Sequence, residues 1–282
     1  MQFSPIKGMG IPFSTKTRLS SEMAVAQAII YILLTSLVAA AAISKSTFGC
    51  YESIVSFGDS IADTGNLLRL SSANNLPDSA NPPYGRTFFH HPTGRYSDGR
   101  LIIDFIAESL GLPMVQPYIG GADAAVNGRS FDKGVNFAVA GATALDISFL
   151  EERGIHNKMT NVSLGTQMYW LRQFLATIPG RKFLQRSLIL MGEIGGNDYN
   201  YPLMQGIVSP QVIQSFGPTI VAYIGSTIQE LIELGAETIL VPGKVPIGCL
   251  PFYLTQFEKS STKKDYDSTT GCLNWLNKLS IY

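Results

Sequence analysis

The sequence predicts an α/β protein: a mostly parallel sheet with helices on both faces, making three layers. Three observations carry that expectation. Ser187-Leu188-Ile189-Leu190-Met191 and Thr238-Ile239-Leu240-Val241 are short, continuous apolar runs, the pattern of strands buried on both faces. Amphipathic helical stretches alternate with such runs, as parallel sheets require. Glycine and small polar residues gather where the strands end, and ligands in open α/β sheets bind outside the carboxyl ends of strands.

In chain order, Ser53–Phe57 reads as the first strand and closes on Gly58-Asp59. Residues 71–100 are rich in Asn, Pro, Ser and Gly and read as a surface excursion. Ser97 or Asp98 is placed to cap a helix whose apolar face is Leu101, Ile102, Phe105 and Ile106, stopped by Gly111 and Pro113. Gly134 to Ala140 reads as the second strand. Met168, Leu171, Phe174 and Leu175 recur at helical spacing up to Pro179-Gly180. After the run at 187–191, Pro218 opens a helix carrying Ile220, Ile224, Ile228 and Leu231, which Gly235 ends. The run at 238–241 is the next strand, and the chain from Asp265 onward reads as helical. No repeat or linker interrupts this order, so residues 51–282 are expected to form one domain.

Composition narrows the function classes. Apolar residues make up 45% of the 282 residues and charged ones 15%, a globular profile that argues against disorder. Lys+Arg and Asp+Glu are equal at 21 each, and no basic stripe is present, so nucleic acid is not an expected partner. There is no Gly-x-Gly-x-x-Gly and no Gly-Lys-Ser/Thr, which disfavours a nucleotide-binding domain. The histidines and cysteines lack ligand spacing, so neither a metal nor an organic cofactor is implied.

Residues 1–42 read as an N-terminal extension and signal peptide, which predicts secretion. Met23 to Ile43 is almost continuously apolar, follows Lys16 and Arg18, and closes on the small residues Ala39 to Ala42. An uncleaved signal anchor is the competing reading and the one route to a membrane; the short apolar centre favours cleavage. The stretch before Met23 is long for the basic region of a signal, so Met23 is an alternative start. Of the three cysteines, Cys249 and Cys272 flank a polar, Lys-rich loop that a disulfide would close, with two unpaired thiols as the alternative. Cys50 is left over, as a lone thiol or one whose partner is missing. Asn161-Val162-Ser163 is a glycosylation sequon.

Three strand ends carry the chemistry. The first gives Phe57-Gly58-Asp59-Ser60 followed by Asp63-Thr64-Gly65-Asn66; the second, Asn136-Phe137-Ala138 then Gly141-Ala142-Thr143; the third, Gly195-Gly196-Asn197-Asp198. In this order the blocks resemble those of the GDSL (SGNH) hydrolases. Pro83-Tyr84-Gly85, Gly94-Arg95-Tyr96-Ser97-Asp98-Gly99-Arg100 and Pro246-Ile247-Gly248-Cys249 are similar to the plant subgroup. Val241-Pro242-Gly243-Lys244 resembles its sinapine esterase-like branch. The likeness runs from about Tyr51 to the end and implies a flavodoxin-like α/β/α fold and hydrolysis of small-molecule carboxylic esters.

What the resemblance assigns is chemically coherent. Ser60 is the nucleophile, at a turn leaving a strand, where it can attack an ester carbonyl. The backbone N–H groups of Ser60 and Gly141 and the carboxamide of Asn197 are the donors that meet the tetrahedral oxyanion. Asp59 and Asp198 support the loops, Asp198 organising the one that carries Asn197. Taken singly, each of these residues reads as a cap, a turn or a loop bond.

The family also supplies a base from an Asp-x-x-His motif near its C-terminus. Here the histidines are His90, His91 and His156, and none stands three residues after an aspartate. His90 and His91 lie beside Pro92 in the long polar segment, where a histidine is ordinarily solvated. The expectation is therefore that both partners of Ser60 are missing, with a last strand and helix, and that the short chain is poorly soluble. An alternative follows: a catalytically impaired form acting only as a binding or decoy protein.

Overall fold

β1 (Ser53–Ser56) lies at the centre of a five-stranded sheet whose strands are all parallel. β3 (Gly134–Asn136) pairs on one side of it and β4 (Ser187–Leu190) on the other. β2 (Gln116–Pro117) extends the sheet beyond β3, and β5 (Thr238–Leu240) beyond β4, giving the order β2-β3-β1-β4-β5. The computed structural model describes residues 51–120, 131–206, 209–243 and 245–279. Residues 1–42, read above as an extension and signal, Cys50 and Lys244 lie outside the described residues.

Strand alternation sorts the core into layers, because successive side chains point to opposite faces. Ile54, Leu188 and Leu190 face α2 (Ile102–Ser109), where Ile103 and Ala107 meet them. Val55, Phe57, Ile189 and Met191 face the other way. There they meet Leu164, Met168 and Leu171 of α4 (Leu164–Leu175), Leu184 of α5 (Gly180–Gln185) and Leu231 of α8 (Gly217–Leu234). This is the three-layer arrangement expected. A further core lies among α3 (Ile147–Glu151), α6 (Gly196–Gln205), α7 (Pro210–Gln214), α9 (Pro251–Gln256) and α10 (Asn274–Leu279), around Leu150, Tyr199, Ile213, Tyr253 and Leu276. A short helix, α1 (Asn66–Leu70), follows β1. Among the described residues no helix is long and apolar enough to cross a membrane.

Several boundaries differ from expectation, each for a physical reason. The second strand leaves the regular ladder at Asn136, because that side chain turns into the loop after β1. Its Nδ2 donates to Ala62 O at 2.6 Å and Thr64 Oγ1 at 3.0 Å. Phe137 to Ala140 stay fully buried, which is why they read as strand. α2 is not capped by Ser97 or Asp98: Ser97 Oγ serves Gly99 N and Arg100 O, while Asp104 accepts the Leu101 amide at 2.9 Å. Its buried stripe is Ile103, Asp104 and Ala107, and Ile102 is 67% exposed. Asp104 is drawn inward by a bidentate pair with Arg95, Nε to Oδ2 at 2.9 Å and Nη2 to Oδ1 at 2.8 Å. The excursion at 71–100 is thus anchored: Arg95 is itself buried.

At the far end, α10 begins at Asn274 rather than near Asp265. Between them Asp267 Oδ1 accepts the amides of Thr269 and Thr270, and Tyr266 bridges Leu273. Cys249 and Cys272 are joined by a disulfide that closes this loop. Several elements carried no sequence signal we read, among them β2, two residues with a proline, and α6, which starts after Gly195 in the left-handed region (φ 94°).

Candidate active site

The turn after β1 is built by glycine and carboxylates. Gly58 has φ +140°, and an added Cβ would lie 3.1 Å from both Ala62 Cβ and Glu193 O, so the turn admits no side chain there. The carboxamide of Gln167, on α4, clamps the same residue from both sides. Its Oε1 accepts Gly58 N at 2.9 Å and its Nε2 donates to Gly58 O at 2.8 Å. Asp63 is buried and accepts four backbone amides, from Gly65, Asn66, Leu67 and Ala140. Burial pushes its carboxyl above the ordinary range, while those amides pull it down. Asn66 completes the weave, its Nδ2 donating to the carbonyls of Asn136 and Ala138, both at 2.8 Å. The first two strand-end blocks are therefore one hydrogen-bonded unit.

The third block joins through α6. Asn197 Nδ2 donates to Ala142 O at 2.9 Å and lies 3.4 Å from Asp59 Oδ2. Its carboxamide thus touches the neighbour of Ser60 and the neighbour of Gly141. Asp198 is fully buried and accepts the amides of Ala144 at 2.8 Å and Leu145 at 3.0 Å. It ties α6, the helix that carries Asn197, to the loop after β3. Gly141 has φ +83°, and a Cβ there would come within 2.8 Å of Tyr201 Oη and 2.9 Å of Met159 Cβ. Its carbonyl accepts from Tyr201 Oη at 2.7 Å and Asn157 Nδ2 at 3.0 Å.

Two backbone donors stand open at this junction. Among the described residues, the N–H groups of Ser60 and Gly141 make no hydrogen bond, although their neighbours Asp59, Ile61, Ala140 and Ala142 all do. Unpaired amides are uncommon in folded proteins, and a pair beside a serine at a strand end is what an oxyanion site needs. The Ser60 hydroxyl is partly exposed and makes no hydrogen bond among the described residues. Asp59 is buried, and burial above all pushes its carboxyl up to about 8; the Ile61 amide opposes this, and the charges of Glu193, Asp198 and Asp63 add to it. At neutral pH it is mostly protonated, which keeps a negative charge away from the open amides.

Around this serine and the two unpaired strand-end amides, the sequence of nearly the whole described domain matches one family. The family model for GDSL-like lipase/acylhydrolases covers residues 54–280. The chain belongs to that family. Among curated GDSL relatives, a GDSL esterase/lipase of Arabidopsis thaliana is 54% identical over 265 residues, covering 91% of this chain and 63% of the relative. A second from the same plant is 52% identical over 257 residues, 89% of this chain and 64% of the relative. The sinapine esterase of Brassica napus is 54% identical over 233 residues, 80% of this chain and 58% of that enzyme. The chain thus spans less than two thirds of the length of these GDSL relatives.

The structure brings Asp59, Ser60, Gly141 and Asn197 to one place, with Asp198 behind them. No histidine side chain hydrogen-bonds Ser60 among the described residues, and His90, His91 and His156 are all exposed. Gln167, Asn200, Tyr201 and Tyr253 escaped the sequence reading. Gln167 had a signal, being a polar residue on the apolar stripe of Leu164, Met168 and Leu171. Asn200 and Tyr201 had one too, three and four residues beyond Asn197 on a helix. Asn161 is exposed just ahead of α4, whose N-cap Ser163 accepts the Thr166 amide at 3.3 Å.

Proposed function

We propose that this chain carries the nucleophile and oxyanion machinery of a carboxylic ester hydrolase. Ser60 Oγ attacks the ester carbonyl, its proton passes to a base, and the alkoxide leaves to give an acyl-enzyme on Ser60 that water then hydrolyses. The N–H groups of Ser60 and Gly141 receive the oxyanion, joined by the Asn197 carboxamide proton that here donates to Asp59 Oδ2 at 3.4 Å. The observation that carries this reading is the contact of the Asn197 carboxamide with Asp59 and Ala142, flanked by two open amides. The family resemblance implies an Asp-x-x-His pair as the base, and no histidine of this sequence matches it. Hydrolysis of p-nitrophenyl acetate by the purified chain, beside Ser60→Ala, tests the reading: turnover that Ser60→Ala abolishes supports it.

A second reading, a binding or decoy form without turnover, is favoured by one observation: all three histidines are exposed and none hydrogen-bonds Ser60 among the described residues. Loss of a triad base ordinarily costs ~10⁴ to 10⁶-fold in rate. A folded chain that binds ester analogues but shows no Ser60-dependent turnover supports this second reading. We also read the protein as secreted and glycosylated at Asn161, from the signal pattern and the exposed sequon. N-terminal sequencing of the protein recovered from medium, and a mass change on deglycosylation, test both.

A further inference from the structure

We infer that Asn200 and Tyr253 are positioning residues that set which way the Asn197 carboxamide faces, an inference resting on the reading of Asn197 as an oxyanion donor. An asparagine side chain has two near-isosteric orientations, and only one presents its N–H₂ to an oxyanion. The first constraint is Ala142 O, a backbone carbonyl that can only accept, 2.9 Å from Asn197 Nδ2. That turns Asn197 Oδ1 toward Asn200, whose Nδ2 donates to it at 3.3 Å. Asn200 has then spent its nitrogen on this bond, and its Oδ1 faces Tyr253, whose hydroxyl donates to it at 2.6 Å.

The polarity of the relay is determined at both ends. Ala142 O cannot donate, and the Tyr253 hydroxyl reaches no other acceptor among the described residues. Reversing Asn197 would set its oxygen against Ala142 O and its nitrogen against the nitrogen of Asn200. It would also present a carbonyl to the developing oxyanion. Asn197 and Asn200 are one turn apart on α6, so they share a face. Tyr253 comes from α9, four residues after Cys249, and its ring is 1% exposed among Phe252, Phe257 and the α10 core. Burial raises its phenol, keeping it a donor. The disulfide-closed arm at 249–272 thereby reaches the site without touching Ser60.

The test uses diethyl p-nitrophenyl phosphate, which phosphorylates a serine as p-nitrophenolate leaves with the bonding electrons, so that no second half-reaction is needed. Tyr253→Phe keeps the ring and deletes the donor; Asn200→Asp keeps the acceptor for Tyr253 and turns an oxygen toward Asn197. We expect the limiting rate of Ser60 labelling to fall roughly tenfold in Tyr253→Phe and further in Asn200→Asp, with the half-saturating reagent concentration unchanged. The side-chain N–H₂ resonances of Asn197, assigned by their loss in Asn197→Ala, should move in both variants. Wild-type rates with unmoved resonances would overturn the inference. If wild-type Ser60 is not labelled at all, the hydrolase reading fails, and the Asn197 resonances alone then decide the relay.

Discussion

Asp63 Oδ2 accepts the backbone amide of Ala140 at 2.8 Å across 77 residues of chain. One carboxylate thereby ties the turn that follows Ser60 to the loop whose next residue is Gly141. The same group accepts three amides at the start of α1, Leu67 on that same oxygen, so replacing Oδ2 disturbs both sides of the site.

Asp63→Asn should be strongly destabilising for this reason. The new N–H₂ cannot accept, so two buried N–H groups would face a donor. Orphaning buried donors costs ~1–3 kcal/mol each, which predicts a loss of about 3 kcal/mol. Chemical denaturation should show a lower midpoint with an unchanged slope. A midpoint shift near zero would mean that the four amides find other partners.

Much of this was legible before the structure, and the reasons can be located. Ser187–Met191 read correctly as a buried strand because both of its faces are covered, so every side chain had to be apolar or small. The three strand-end blocks were legible because glycine, serine and asparagine cluster there for backbone approach. α2 was harder: Ile102, Phe105 and Ile106 satisfy helical spacing as well as Ile103 and Ala107 do. The Arg95–Asp104 pair selects the second stripe, and nothing in the local pattern reveals a partner nine residues away. Tyr253 was illegible in the same way. A polar residue in a helix has no assigned role until the fold supplies what faces it.

That ion pair yields the second prediction. Arg95 and Asp104 are buried, and Asp104 also holds the Leu101 amide. Arg95→Met should cost ~3–5 kcal/mol, because a carboxylate is left buried without its cation. Asp104→Asn should cost a similar amount. The double variant should fall short of the sum of the single ones, since the two act on one interaction. Additive losses in urea unfolding would show that the residues stabilise the fold independently.

The disulfide gives the third. Cys249 and Cys272 are 23 residues apart, and closing a loop of that length removes chain entropy worth ~3 kcal/mol from the unfolded state. Cys272→Ser or treatment with dithiothreitol should lower stability by about that amount. Because the arm carries Tyr253, reduction should also move the Asn197 carboxamide signals. Unchanged thermal stability under reductant would mean that the core around Leu276 and Leu273 holds the arm without the bond.

The last prediction concerns Asp59, whose sign of pH dependence is unusual for a carboxylate. Burial raises its carboxyl from the ordinary 3.8 to about 8. Between those values the folded chain keeps a proton that the unfolded chain has lost, so the group's contribution is whole below about 4 and is lost as pH rises through about 8. At ~1.4 kcal/mol for each pH unit between the two values, the effect is several kcal/mol. Asp59→Asn keeps an acceptor for the Ile61 amide and cannot ionise, while its new N–H₂ faces Asn197 Nδ2. The variant should therefore differ from wild type by a fixed offset near pH 4 and gain on it as pH rises to 9. The site should respond in the same direction. An ionised Asp59 beside the open amides opposes a second negative charge there, so Ser60 labelling in wild type should gain an alkaline falling limb near pH 8 that the variant lacks. Stability curves that run parallel for the two proteins from pH 4 to 9 would show that Asp59 is ionised throughout, and that the carboxylate shares the site with the oxyanion after all.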